Sequence, residues 1–530
     1  MSAVPSNPAT HPGFRGVTKQ IRNLIHRTLE FIGRHPLTIL VLPSIWFLVF
    51  YLPFWKSSDV LCQLGDRFTA ENILLVPPIY CVLGRIPFWI TDTLLSGSSP
   101  NIFAPQHPSL TAVYSLVVLQ HAGLWFALRY FVFGTPTTEA GRGLITVLLG
   151  SIASFYSFAH TAGAEATTAI TWFTLFGAGL RVLTERGTWK SWLLYFLILL
   201  LCIGSRHVSG LLLGWLPGTA ILLMMVHLFR KAQKTYVFPM AKIAGVALLL
   251  SLFVIGTETA IVSSLCGSFN VIQRQMVGRT LCERIGSFLD ALSPEEKERV
   301  KERVIRPGDD PDLTLAIDSL IRVGTYYGGT SKVISQASSN RRLNGDSLEA
   351  SVDTTALKAA LRFYQTLDPR LIRVILKDIV RGFYPANDQG IALTGPKATF
   401  YSVEDIGKEP KAWAGIGSLL FFDPAVANHT LKRALHDNYI RHWRFVPIAV
   451  WCLLFVTIGV WRLVRGTLPL ELGIVALSIF GIGFAVYVAT CVCNITQPRY
   501  VLPFWVGTIA SGCVLIAGRR TRTLKNGAVP

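Results

Sequence analysis

Apolar residues in this chain gather into long runs rather than alternating with polar ones. Predominantly apolar stretches occupy 37–54, 111–133, 143–160, 166–183, 190–205, 208–229, 241–262, 446–464, 468–492 and 500–517. About 20 such residues let an α-helix cross ~30 Å of hydrocarbon. A helix also satisfies its own backbone where no water can. The pattern predicts an all-α polytopic membrane protein with about ten transmembrane helices, the stretch 190–205 being short enough to need a thinned or tilted crossing. Residues 72–95 are apolar too, but Pro77, Pro78 and Pro87 interrupt them and Arg85 sits among them. They read as an interfacial or re-entrant element.

One long hydrophilic region, 263–445, breaks the series. Its stretches 283–305 and 353–384 carry helical periodicity, punctuated by Pro and Gly at 307–308 and 385–396, which predicts a mostly helical domain. The organisation expected is a basic tail (1–36), a membrane domain of seven spans (37–262) with a first outer loop at 55–110, the helical domain (263–445), three further spans (446–517) and a second basic tail (518–530). The first apolar run is too long for the core of a cleavable signal and reads as a signal-anchor span.

Charge orients the chain. Counting alternate short segments from the N-terminus, twenty Lys and Arg fall on one side, among them Arg15, Lys19, Arg142, Arg186, Lys231, Arg465 and Arg520. The opposite short segments hold five, Lys56, Arg67, Arg85, Arg206 and Arg499. The positive-inside rule then places both termini in the cytoplasm and the 263–445 domain outside. Composition agrees, with 15% charged and 51% hydrophobic residues against the ~25% charged expected of a soluble chain. The formal charge of +19 lies mostly beside apolar runs, with no basic stripe interleaved with aromatics. Nucleic acid is therefore not expected as a partner.

Of nine cysteines, Cys266 and Cys282 lie together in the outer domain. A disulfide between them is expected in an oxidising compartment, the alternative being two buried thiols. No C-x-x-C pair with accompanying histidines points to a cysteine metal site.

Candidate chemistry concentrates in the outer segments. Asp59 follows the first span closely, and Asp66 comes seven residues later. A carboxylate at the mouth of a membrane bundle suits general-base work on an acceptor hydroxyl. The plain alternative is a solvated loop aspartate. Glu165, with His160, lies in the turn between the third and fourth spans. Arg206 and His207 follow the fifth, and Arg499 and Tyr500 open the last. Guanidinium groups at an interface suit phosphate oxygens, although a single arginine there also serves as a membrane anchor.

A first span, an outer acid, and then the segment Val76-Pro77-Pro78-Ile79-Tyr80 follow one another in an order that resembles the GT-C superfamily of polyprenyl-phosphate-sugar-dependent glycosyltransferases. The likeness is to the bacterial branch related to protein mannosyltransferases and aminoarabinose transferases, where the segment reads His-Pro-Pro-Leu-Tyr; Val76 stands at the histidine. Glu165, Arg206 and the run Arg499-Tyr500-x-x-Pro503 also match that pattern, and the likeness covers 37–230 and 490–517. It implies a bacterial inner-membrane enzyme working on the periplasmic face. Asp59 and Asp66 would be its catalytic acids, and Tyr80, Glu165, Arg206, His207, Arg499 and Tyr500 would bind substrate. The donor would be a polyprenyl-phosphate-linked sugar entering from the bilayer, and the acceptor a lipid, glycan or protein. Some relatives use a divalent metal; Asp59 and Glu165 would offer hard oxygen ligands to Mg²⁺ or Mn²⁺.

Two other readings stay open, a transporter or flippase and a non-catalytic scaffold. An enzyme needs Asp59, Glu165, Arg206 and Arg499 around one outward-facing cavity. A transporter needs ionisable groups along a path through mid-membrane. Gln120 and His121 lie well inside a span, where satisfied interhelical hydrogen bonds are expected.

Overall fold

The computed structural model describes residues 12–50, 54–55, 64, 78–96, 110–184, 188–230, 234–269, 277–323, 346–384, 448–493 and 498–519. Those residues are all-α apart from one two-residue strand pair. All ten apolar stretches contain helix. Five of those helices are long and apolar enough to cross a membrane: Thr111–Gly134, Ala164–Thr184, Val208–Phe229, Val237–Leu265 and Leu470–Cys493. The protein is therefore membrane-integral.

The other stretches show why ten crossings do not follow from hydropathy alone. Trp189–Ser205, Ile448–Val464 and Leu502–Ala517 are apolar but short. The last, at 16 residues, is about 24 Å long, less than the ~30 Å hydrocarbon thickness. It is buried on nearly every face, so it sits among other helices rather than against lipid. The stretch 143–160 breaks at Ile152, whose extended backbone separates Glu139–Ser151 from the seven-residue helix Ala153–Ala159. The helix of the first apolar stretch, Leu37–Phe50, leaves the amphipathic helix Pro12–Arg34 at a 74° bend. Residues 78–96 form a helix that packs against Leu110–Gly134 and Trp189–Ser205.

Exposed apolar side chains mark lipid-facing surface. Lys234–Phe269, 36 residues long, shows Leu248, Leu249, Leu252, Phe253 and Ile255 to its surroundings. At ~54 Å it outruns the hydrocarbon, and it continues to Phe269, beyond the boundary at 262.

Loops at one end of the bundle are tied together. Arg34 meets Glu139 at 2.8 Å, the Arg519 amide donates to Pro136 O at 2.9 Å, and Arg462 donates to Gly518 O at 2.6 Å. Arg142 lies over the Phe133 ring. Four of the six basic segments assigned by alternation to one side of the membrane thus share one end of the fold.

The hydrophilic region contains its own helical unit, Val277–Leu289, Pro294–Val304, Pro311–Val323, Asp346–Gln365 and Pro369–Phe383. Its core is apolar and includes Ile285, Phe288, Val300, Ile317, Leu320 and Phe363. Ser293 opens Pro294–Val304 with a capping box completed by Glu296, which satisfies otherwise orphaned amides. Asp368 caps the last helix and pairs with Arg303 and Arg370 at 2.9 and 3.0 Å. Those guanidinium groups and a backbone amide hold its carboxyl well below the usual range.

The unit docks on the bundle through hydroxyls. Tyr487 donates to Asp378 O at 2.6 Å, and Tyr364 donates to Val492 O at 2.5 Å.

Cys282 corrects one expectation. It is a free thiol in this core, 2% exposed, donating to Ala356 O at 3.4 Å. The side chain of Cys266 lies outside the described residues. Burial pushes the Cys282 thiol up to about 12, so little thiolate exists near neutral pH to react. Alkylation of Cys282 by iodoacetamide is expected to be equally low before and after reduction, rising only on denaturation. Labelling that appears in the folded protein on reduction alone would restore the disulfide.

Candidate functional site at one end of the bundle

At the end opposite the tied basic loops, segments far apart in sequence converge. The first is backbone: Phe54–Trp55, just after Leu37–Phe50, pairs in parallel with Thr161–Ala162, Phe54 opposite Thr161 and Trp55 opposite Ala162. The chain just after Leu37–Phe50 is thereby fixed three residues from Glu165. Asp59 and Asp66 lie outside the described residues. Four residues of chain reach at most ~14 Å, which bounds how far Asp59 lies from Trp55.

The turn that receives this strand is clamped from below. Gln120, in Leu110–Gly134, donates through Nε2 to the carbonyls of Ala159 and Thr161, both at 2.9 Å. Next to it His121 Nδ1 meets Ser44 Oγ at 2.9 Å, and its Nε2 meets His160 Nδ1 at 3.2 Å. Trp125 donates to the same Ser44 hydroxyl. These hydrogen bonds join Leu37–Phe50, Leu110–Gly134 and the 160 turn, as expected for Gln120 and His121. His160 thus turns into the bundle toward His121.

Glu165 lies in the first turn of Ala164–Thr184 and is 3% exposed. A carboxylate there is favoured by the helix N-terminus. Its Oε1 is 3.5 Å from Arg206 Nη2, with the two side chains 4% and 13% exposed. Arg206 caps the C-terminus of Trp189–Ser205 in an extended conformation, where the chain passes into the 3₁₀ turn His207–Gly214. That break carries the guanidinium out of the helix and over the ring of Tyr500, 5.7 Å from its centroid. Tyr500 lies in the 3₁₀ turn Pro498–Val501, directly before the last helix. Trp505 then ties that helix to Ser154 at 2.8 Å.

The Pro-Pro-Ile-Tyr segment reaches the same place. Pro78–Ser96 begins there, and Tyr80 is 1% exposed and close enough to Glu165 to feel its charge. Ile79 seats on Gly204, where a Cβ would stand 2.1 Å from Ile79 Cδ1. Only a glycine lets this helix start press on the residue pair preceding Arg206. The Tyr80 hydroxyl is buried beside the backbone of Gly163.

Tyr80, Glu165, Arg206 and Tyr500 are therefore brought together. The side chains of His207 and Arg499 lie outside the described residues, although the backbone of Arg499 adjoins Tyr500. Sequence reading missed the clamp made by Gln120 and the Ser44–His121–His160 chain as supports of the site. The adjacent polar pair Gln120-His121 inside an apolar run was their signal.

As a metal ligand Glu165 fits poorly. Arg206 already neutralises it, and a cation beside the carboxylate opposes a divalent ion. Among the described residues no three His, Cys, Asp or Glu side chains converge as a ligand set.

Fold and site together define an all-helical membrane-integral protein with a buried acid–arginine–tyrosine cluster at one end of its bundle. No family model matches the chain, and no curated protein matches it.

Proposed function

We propose that this chain is a GT-C-like membrane glycosyltransferase, moving a sugar from a polyprenyl-phosphate donor to a lipid, glycan or protein acceptor. The reading places ten crossings in a bacterial inner membrane, both termini in the cytoplasm, and the site with the 263–445 domain on the outer face. One observation carries it: Trp55, Tyr80, Glu165, Arg206 and Tyr500, spread over the whole chain, meet at a single end of the bundle. These are the segments whose order resembles the GT-C pattern. An enzyme on the outer face has no supply of nucleotide sugars, so a lipid-borne phosphate donor accounts for both the membrane and the arginines.

In the proposed reaction Asp59 takes the acceptor's hydroxyl proton as its oxygen attacks the anomeric carbon. The bond from that carbon to the phosphate oxygen breaks, and the polyprenyl phosphate leaves with its extra charge. Arg206 and Arg499 hold that phosphate, Arg206 with its plane set against Tyr500 and its charge balanced by Glu165 before the donor arrives. No step runs through a metal.

The test is transfer of labelled sugar from a polyprenyl-phosphate donor by the reconstituted chain, with Asp59→Asn as the inactive comparison. Topology has its own check. Reporters fused after Lys525 and near residue 340 are expected on opposite sides of the membrane, and a result placing both on one side rules out the ten-span arrangement.

A further inference from the structure

Helix Pro369–Phe383 of the hydrophilic unit carries two parallel rows of exposed side chains. Ile372, Leu376 and Val380, continued by Tyr384, recur every four residues and are 41–58% exposed. Arg373, Lys377 and Arg381 repeat the same spacing beside them and are also exposed. Four large apolar side chains in one exposed row mark an interaction surface.

The opposite face is firmly held. Asp378 is 2.7 Å from the buried Arg284 guanidinium. Gly382 lies flat on the Tyr487 ring, where a Cβ would come within 2.3 Å of a ring carbon. The Phe383 ring lies tilted 5.9 Å from Phe484 and edge-on 4.9 Å from Phe504, centroid to centroid. These contacts pin the helix to the C-terminal half of the candidate span Leu470–Cys493 and to the start of Leu502–Ala517. The helix also touches Ile448–Val464, which exposes Val450, Leu453, Leu454 and Val456. The apolar row thus continues a surface that faces lipid.

We infer that Pro369–Phe383 lies in the plane of the membrane surface. Its apolar row enters the acyl boundary, and Arg373, Lys377 and Arg381 contact anionic headgroups. An amphipathic helix with basic residues flanking its apolar face binds such an interface through both contributions. The inference rests on the membrane character of the bundle and is independent of the glycosyltransferase reading.

The experiment uses the full chain in vesicles of phosphatidylcholine and phosphatidylglycerol, with benzoylphenylalanine at position 376. A second variant carries it at exposed position 298, in Pro294–Val304, as comparison. Both positions are exposed, so packing is left intact. Irradiation is expected to give lipid adducts at 376 and few or none at 298. Arg373→Gln, Lys377→Gln and Arg381→Gln together are expected to lower the yield at 376 several-fold, as is leaving out phosphatidylglycerol. Equal lipid yields at the two positions would overturn the proposal. So would adducts at 376 to a second copy or to residues 385–447 in place of lipid. A yield indifferent to both the triple substitution and the anionic lipid would overturn the role given to the headgroups.

Discussion

Asp59→Asn is expected to slow sugar transfer from a polyprenyl-phosphate donor by about 10²- to 10⁴-fold, the usual cost of losing a general base. Asparagine keeps the size and hydrogen-bonding shape and removes the proton acceptor, so the amount of protein in the membrane should not change. Asp59 carries this weight because the strand pairing at Trp55 fixes the chain only four residues before it, beside the turn that bears Glu165. Asp66→Asn is expected to matter less, being seven residues further along. Transfer of labelled sugar in reconstituted vesicles, at matched protein amounts, reads the effect. Wild-type turnover in Asp59→Asn would make Asp59 an ordinary loop aspartate and end the proposed mechanism.

The second large effect is expected at Glu165, and it has a structural and a functional part. Glu165→Leu strands the guanidinium of Arg206, whose side chain is 13% exposed. Removing one partner of a buried pair costs about 3–5 kcal/mol, because the remaining charge stays buried and uncompensated. The low end is expected here, since the pair is 3.5 Å apart. The fraction of chain remaining monodisperse after heating measures it. Adding Arg206→Met should restore much of that stability, as apolar replacements of buried pairs often do. Transfer should stay lost in the double variant, because the phosphate has lost a guanidinium. Arg206→Lys should keep the charge and lose the contact with Tyr500 and the paired geometry, leaving partial donor use. If the double variant regained both stability and transfer, the pair would be structural only.

Much of the class was legible in the sequence. Hydropathy runs predict helices because lipid leaves a chain little alternative, and every run contains helix. The helical domain was visible in its periodicity, although the stretch 283–305 divides between Leu289 and Pro294, where Ser293 caps a new helix. The span count was not, because length decides whether a helix crosses, and packing decides where a helix breaks. The apolar run breaks at Ile152, directly after Gly150 and Ser151, a pair that hydropathy alone does not weigh. Leu502–Ala517 is apolar because neighbouring helices surround it, not because lipid does.

The site divides in the same way. Asp59, Tyr80, Glu165, Arg206 and Tyr500 could be picked out singly, from polar chemistry placed beside apolar runs. Their meeting could not be read from sequence, since it depends on contacts between segments more than a hundred residues apart. Three of these belong to the fold alone: the pairing of Trp55 with Ala162, the seating of Ile79 on Gly204, and the break at Arg206 that sends its guanidinium toward Tyr500. Cys282 makes the same point for reactivity. Its spacing from Cys266 suggested a bridge, whereas burial against Ala356 made it a free and unreactive thiol. Hydrophobic periodicity is a local property, so the chain itself determined the helices and the membrane. Burial and proximity are properties of the packed whole, so only the tertiary structure decided which charges are paired, which helices face lipid, and where the site stands.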